Sequence, residues 1–255
     1  MLTVNEIFYS IQGESTRAGR LCVFVRLTAC DLRCTWCDTP YSFHEGHKRT
    51  LDDVVAEVER HGCPLVEITG GEPLLQEDVF PLMERLLEQG RTVMLETGGH
   101  RPIDRVPRDV VKIVDVKCPG SGEAGKNAWG NLDLIAPHDE VKFVLQDRAD
   151  YEFAKDVAER YGLAARTAAV LFSPVHGVLE PRTLAEWMLA DHVPARLSCN
   201  CTSTSGRRPR GAYEPNAGRR ALERWTRLLH RRGDCPGRGF LGVRPDDPIR
   251  PAPCD

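Results

Sequence analysis

"LCVFVRLTACDLRCTWCDTP" spans residues 21–40, and its reading decides the fold. Residues 21–27 are apolar apart from one arginine, the pattern of a strand buried on both faces. Three cysteines follow at once, at 30, 34 and 37. A buried strand that delivers reactive side chains at its carboxyl end is the arrangement of parallel α/β sheets. The rest of the chain repeats the unit. "LVEIT" (65–69), "TVMLET" (92–97), "VVKIVDVK" (110–117), "EVKFVLQ" (140–146) and "AAVLFSPV" (168–175) read as further strands. Residues 50–62, 76–90, 149–162 and 181–192 read as helices, the first with Thr50 as its N-cap. About six mainly parallel strands separated by helices form one sheet, either a full or partial barrel or an open doubly wound sheet. Cys30, Gly70, Gly71, Glu96 to Gly99 and Lys117 all fall just after strands.

The chain has 255 residues and is 41% hydrophobic, enough for one large α/β domain or two small ones. It has no apolar run of 18 or more, so no membrane-spanning helix is expected. Its start, "MLTVNEIFYSIQGES", has neither the basic nor the apolar region of a signal peptide. The expected location is cytoplasmic, where thiols stay reduced and clustered cysteines point to metal or catalysis rather than disulfides. The net charge of −3 is uneven: residues 199–255 hold 12 arginines, no lysine and 6 acids, against 22 bases and 31 acids before them. So acidic a body speaks against direct nucleic-acid binding.

Three thiols on one tight loop are one short of a closed tetrahedral zinc site or a fully ligated [4Fe–4S] cluster. A cluster on Cys30, Cys34 and Cys37 would keep one iron open to a small chelating molecule. A zinc knuckle completed by His44 or His47 is the alternative.

C-x-x-x-C-x-x-C after a strand, with Trp36 before the last cysteine and "TGGEP" (69–73) after the next strand, resembles the radical S-adenosylmethionine (SAM) superfamily. The resemblance implies a partial (β/α) barrel over residues 1–198, a [4Fe–4S] cluster and SAM, whose cleavage yields a 5′-deoxyadenosyl radical. "NEIFYSIQGESTRAGRLCVFVRLTACDLRCTWCDT" narrows it. This stretch is similar to the 7-carboxy-7-deazaguanine synthases of the queuosine pathway, with Ser15 where they carry glycine. "LETGG", "VDVKCPGSG" and "LFSPVHG" extend the likeness. The implied reaction contracts 6-carboxy-5,6,7,8-tetrahydropterin to 7-carboxy-7-deazaguanine with loss of ammonia, helped by Mg²⁺.

By that resemblance, Ile11, Gln12, Gly13, Arg26 and Thr69 contact the substrate. Arg26 has the planar fork that suits a carboxylate, and Gln12 has a donor and an acceptor for a pterin edge. Thr39 reaches Mg²⁺. Trp36, Cys37, Asp38, Gly71, Asp115, Val116 and Lys117 line the cofactor, and Glu96 and Thr97 are further polar candidates. Gly70 and Gly71 leave room for backbone to approach the cofactor. Cys22, Cys63 and Cys118 match no ligand position and read as small buried hydrophobes. An electron donor such as a flavodoxin and a homodimeric state are also implied. A radical activase acting on a partner protein and a non-catalytic iron–sulfur or zinc module are the competing readings.

The resemblance stops at Ser198, where relatives continue "LQLHKYIW" and this chain reads "CNCTSTSG". One back-translation of that stretch, read a base earlier with a C in front, gives Leu-Gln-Leu-His-Lys-Tyr-Ile-Trp. Synonymous codons through Glu214 extend it to "LQLHKYIWAPTARGV" and a stop. Residues 199–255 therefore read as an out-of-frame, poorly ordered tail, and the arginine excess as a product of the frame. A genuine basic arm is the rival. The resemblance implies that the replaced segment supplies a closing strand and a His-Lys pair near the active site. Resequencing the coding DNA at Ser198 should find a single missing C; an intact reading frame there would overturn this account.

Overall fold

A computed structural model describes residues 1–199, so the expected tail lies outside the described residues except for Cys199. The six expected strands are present as β2 (Leu21–Leu27), β4 (Leu65–Gly70), β5 (Thr92–Thr97), β6 (Val111–Asp115), β7 (Glu140–Leu145) and β8 (Ala169–Pro174). They run parallel in that order. Three strands were not foreseen. β1 (Leu2–Ile11) pairs antiparallel with β2, β3 (His47–Arg49) pairs antiparallel with β1, and β9 (Arg196–Leu197) extends β8 in parallel. β1 carries Asn5, Glu6 and Ser10 and is only half-buried along most of its length, so it lacks a continuous apolar run. β3 and β9 are too short for any periodicity to show.

The helices are α1 (Leu51–Arg60), α2 (Val79–Glu88), α3 (Arg148–Arg160), α4 (Leu163–Arg166) and α5 (Pro181–Ala190). Thr50 caps α1 as read from sequence, in a reciprocal capping box with Asp53. α2 starts three residues later than expected because Gln76 is used elsewhere. Its side chain accepts from Thr3 N at 2.7 Å and donates to Thr3 O and Thr28 O at 3.0 and 2.9 Å. That ties β1, the end of β2 and the start of α2 together.

One apolar core packs α1 and α2 beneath β1 to β6, with Leu82, Met83 and Leu86 fully buried. A second lies under β7 and β8, where Phe172 meets Phe143 and Tyr151 edge-on at 5.7 and 5.9 Å. Cys22, Cys63 and Cys118 are buried in these cores, as expected.

The sheet curls. β1 and β7 stand five strands apart in the order, about 24 Å if flat. Yet Thr16, in the turn after β1, donates its backbone N–H and hydroxyl to Glu140 at the start of β7, the hydroxyl at 2.6 Å. The architecture is thus a partial barrel, with β3 and β9 as the strands at its two ends.

One buried ion pair holds the β6–β7 connection. Asp139 accepts from Lys112 N and Ala136 N at 2.8 Å each and pairs with Lys112 Nζ at 2.9 Å. Removing one partner strands a buried charge. Asp139→Ala should therefore cost about 3–5 kcal/mol in urea unfolding; a loss below 1 kcal/mol would show that Lys112 finds another partner.

Candidate active site

The three-cysteine loop begins where β2 ends, and the chain turns sharply at Ala29, whose φ is +83°. Backbone bonds hold the turn: Ala29 N–H donates to Ser42 O at 2.9 Å, and Glu72 N–H donates to Ala29 O at 2.8 Å. The loop is then gripped by the segment after β6. Arg33 N–H donates to Glu123 at 2.6 Å, Thr35 N–H to Ser121 O at 3.1 Å and Thr35 Oγ1 to Gly120 O at 2.9 Å. From the loop after β5, His100 meets Asp31 at 2.6 Å and Arg101 pairs with the same carboxylate. Leu32 N–H points at Cys30 Sγ, 3.4 Å away. Burial raises the pKa of the Cys30 and Cys34 thiols, with Lys117 pulling Cys34 back down. Among the described residues, no three His, Cys, Asp or Glu side chains are grouped around a single ion.

The glycines at the end of β4 also serve the packing of the chain itself. A Cβ on Gly71 would sit 2.2 Å from Ala29 O and 2.8 Å from Cys30 Cβ. A Cβ on Gly70, whose φ is +146°, would sit 2.1 Å from Leu27 O. The missing Cβ of Gly70 makes room for the backbone of Leu27 at the end of β2, and that of Gly71 for the start of the cysteine loop. They let the end of β4 press against both.

Behind the loop, the curled sheet encloses charged side chains. Arg26 and Thr69 are direct partners on β2 and β4. Arg26 donates its Nε–H to Glu6 at 2.8 Å and lies near the rings of Phe8 and Tyr41, at 5.8 and 5.9 Å. Lys142 of β7 pairs with Glu14 and, at 2.9 Å, with Glu96. Thr69 Oγ1 donates to Glu96 at 3.4 Å. Burial raises Glu14. It also acts to raise Glu96, but Lys142, with Lys117 and Arg26, outweighs it and leaves that carboxyl below the usual range. Burial opposes the charge on Lys142, and Glu14 and Glu96 more than restore it. Gln12 is buried and donates its amide N–H to Glu67.

Asp115 binds Lys117 Nζ through one oxygen at 2.7 Å, and its other oxygen is buried with no hydrogen-bond partner among the described residues. Lys117 and Asp115 both act on Cys34. An open acceptor beside the thiol loop fits a cofactor rich in N–H and O–H groups. The backbone of Lys117 is fixed on both sides by Asn127, at 2.9 Å each. Val116 differs from its neighbours. Its side chain is in the second core, so only its backbone can face the site. Thr97 also faces away: its hydroxyl bonds Glu72 at 2.9 Å. Thr39 starts the short helix Pro40–Phe43, with its hydroxyl 4.0 Å from Cys37 Sγ. Trp36 and Asp38 lie on the same loop, while Ile11 ends β1 and Gly13 enters the turn after it. Glu67, Lys142, Glu140, His100 and Asn127 escaped the sequence reading. A charge inside an apolar strand, as in "LVEIT" and "EVKFVLQ", was the available signal for the first two.

Residues 25–164 match the Radical SAM superfamily. A curated 7-carboxy-7-deazaguanine synthase from Koribacter versatilis is 50% identical over 210 residues, covering 77% of this chain and 93% of that protein. The chain belongs to the 7-carboxy-7-deazaguanine synthase family. A second such synthase, from Chlorobaculum tepidum, is 44% identical, covering 77% of this chain and 90% of its own length. The crystal structure of QueE from Escherichia coli superposes with a TM-score of 0.63 at 23% identity, covering 78% of this chain and 93% of that one, and shares the fold. Membership in this family implies a [4Fe–4S] cluster and SAM. No helix among the described residues is long and apolar enough to cross a membrane.

Gly71→Ala tests the packing of β4 on the cysteine loop. The added methyl should destabilise the fold by about 1–3 kcal/mol and lower the iron bound after anaerobic reconstitution. Unchanged iron content and melting temperature would show that the loop yields freely.

Proposed function

We propose that this synthase-family chain contracts 6-carboxy-5,6,7,8-tetrahydropterin to 7-carboxy-7-deazaguanine with loss of ammonia, a step in 7-deazapurine biosynthesis. The carrying observation is the enclosed group of Arg26, Thr69, Glu14, Glu96 and Lys142 behind the cysteine loop. A small, charged, donor-rich heterocycle matches it; a peptide does not.

Cys30, Cys34 and Cys37 would hold the cluster. Asp115, Lys117, Trp36, Asp38 and the backbones of Gly71 and Val116 would hold SAM. Cluster and SAM together supply the radical that takes hydrogen from the substrate. The chain's own residues bind, orient and exclude water. Arg26 keeps its Nε–H on Glu6, which fixes the plane of the guanidinium and leaves its terminal fork for the pterin carboxylate. Thr69, level with Arg26 on the next strand and on the same face, would contact the substrate beside it. Ile11, Gln12 and Gly13 form the wall at the turn after β1. Thr39 would offer one hydroxyl to Mg²⁺, a weak ligand by itself that would need further oxygen donors from substrate and water. An electron donor such as a flavodoxin, a homodimer and a cytoplasmic setting belong to the same proposal.

The altered C-terminus bears on this site. The last described residues, Arg196 to Cys199, line a cavity of 260 Å³ together with Gly13, Ser15, Ala18 and Leu171. The frame change at Ser198 therefore falls on the wall that the turn after β1 shares. The relatives match 77% of this chain, and the unmatched share is about that of residues 199–255.

The test is anaerobic product formation with SAM, Mg²⁺, a reductant and the pterin, run on the chain as it stands and on one ending "LQLHKYIWAPTARGV". Both should cleave SAM. The restored chain should form product at the higher rate, and omitting Mg²⁺ should slow it. Cleavage of SAM with no product from either would sink the pterin assignment.

A further inference from the structure

Glu67 is a fully buried carboxyl in the middle of β4 that the proposed chemistry does not use. On the same strand, Val66 and Ile68 point into the apolar core. Glu67 and Thr69 point to the other face, into the charged interior, because neighbours alternate along a strand. Thr69 stands at the level of Arg26, and Glu67 stands one layer deeper, level with Phe24.

What Glu67 meets there is Gln12. The backbone of Gln12 is closed in a turn: its N–H donates to Arg20 O at 2.7 Å, and its O accepts from Gly19 N–H at 2.8 Å. Its side-chain oxygen accepts from Glu14 N–H at 3.0 Å. That bond decides the orientation of the amide, since a backbone N–H can only face the oxygen. The amide nitrogen must then face Glu67, which accepts from it. An apolar residue at position 67 would leave the nitrogen buried and unpaired, and Gln12 would turn away to satisfy it.

We propose that Glu67 is a positioning residue: it locks the Gln12 amide in one orientation, and Gln12 presents its remaining N–H and lone pair to the pterin. The inference rests on the substrate reading above. The same lock reaches further, because Gln12 holds the backbone of Glu14, whose carboxylate meets Lys142. Burial, then the carboxylates of Glu96 and Glu14, push the Glu67 carboxyl well above its ordinary range, with Lys142 and Gln12 acting the other way. Gln at this position is its close mimic in size and keeps a side-chain oxygen that can accept the same bond from Gln12. One donor and one acceptor of the Gln12 amide are engaged inside the protein, which leaves one of each for the pterin.

The experiment compares Glu67→Gln, Glu67→Met, Gln12→Met and the double Met variant in whichever form of the chain turns over. KM and kcat for 6-carboxytetrahydropterin are read beside SAM cleavage without pterin and the melting temperature. Glu67→Met should raise KM about tenfold or more and leave SAM cleavage intact. Glu67→Gln should keep KM within about threefold. The double variant should be no worse than Gln12→Met alone, since both remove one interaction. An unchanged KM in Glu67→Met, or additive losses in the double variant, would overturn the inference while leaving the pterin reading standing. So would a Glu67→Met chain that fails to fold, or loss of SAM cleavage and melting temperature together, because either makes Glu67 a support of the sheet. A parent chain that cleaves SAM but never consumes pterin overturns the substrate reading and this inference with it.

Discussion

Lys142 between Glu14 and Glu96 is the interaction on which the site depends. These three groups come from β7, the turn after β1 and the end of β5. Their pairing, with the neighbouring bonds from Thr16 to Glu140, brings the two sides of the sheet face to face. Dehydrating charges costs several kcal/mol per ion, and packed apolar residues often hold a sheet as well. The curl alone does not require ions here. An ionic lining instead gives the interior groups that recognise a charged, hydrogen-bonding molecule. The chamber and the means of closing it are therefore the same residues.

The cysteine loop follows a complementary rule. Its ends are set by the sheet through Gly70 and Gly71, which allow β4 to lie against Leu27 and Ala29. Its middle is set from outside, by Asp31 on His100 and Arg101, and by Arg33 and Thr35 on residues 120–123. The loop is thus tied to β2, β4 and the connections after β5 and β6. Orientation of three thiols needs this many ties because a loop of this length has much conformational freedom to lose.

The parallel strands were legible because burial on both faces writes itself as unbroken apolar runs. β1 was not, since Asn5, Glu6 and Ser10 interrupt it and leave no unbroken apolar run. The site was legible where a motif carries it: the three cysteines, "TGGEP" and Arg26 all fall at the carboxyl ends of strands. Reasons were less legible than positions. Gly71 also makes room for the loop backbone, which its place in a motif did not tell, and Val116 offers the site only its backbone. Glu67 and Lys142 stand inside apolar runs, so sequence marks them as odd but names no partner. Only the curled sheet supplies one.

The turn after β1 shows how closely substrate wall and chain ending are joined. Ser15 sits at φ +66°, a left-handed conformation in which glycine is at ease and serine is strained. The glycine that the resemblance implies at this position would have that physical reason. Serine offsets part of the strain by accepting from Arg17 N–H at 3.0 Å. The turn is then held on one side by Glu140 and bordered on the other by Arg196 to Cys199. A turn that is strained, and that carries Gln12 and Glu14 into the chamber, depends on both supports. Glu140 is internal to the described fold and intact. The other support is the last described stretch, Arg196 to Cys199, so a change there would act on the turn that holds Gln12 and Glu14 while leaving the ties of the cysteine loop in place.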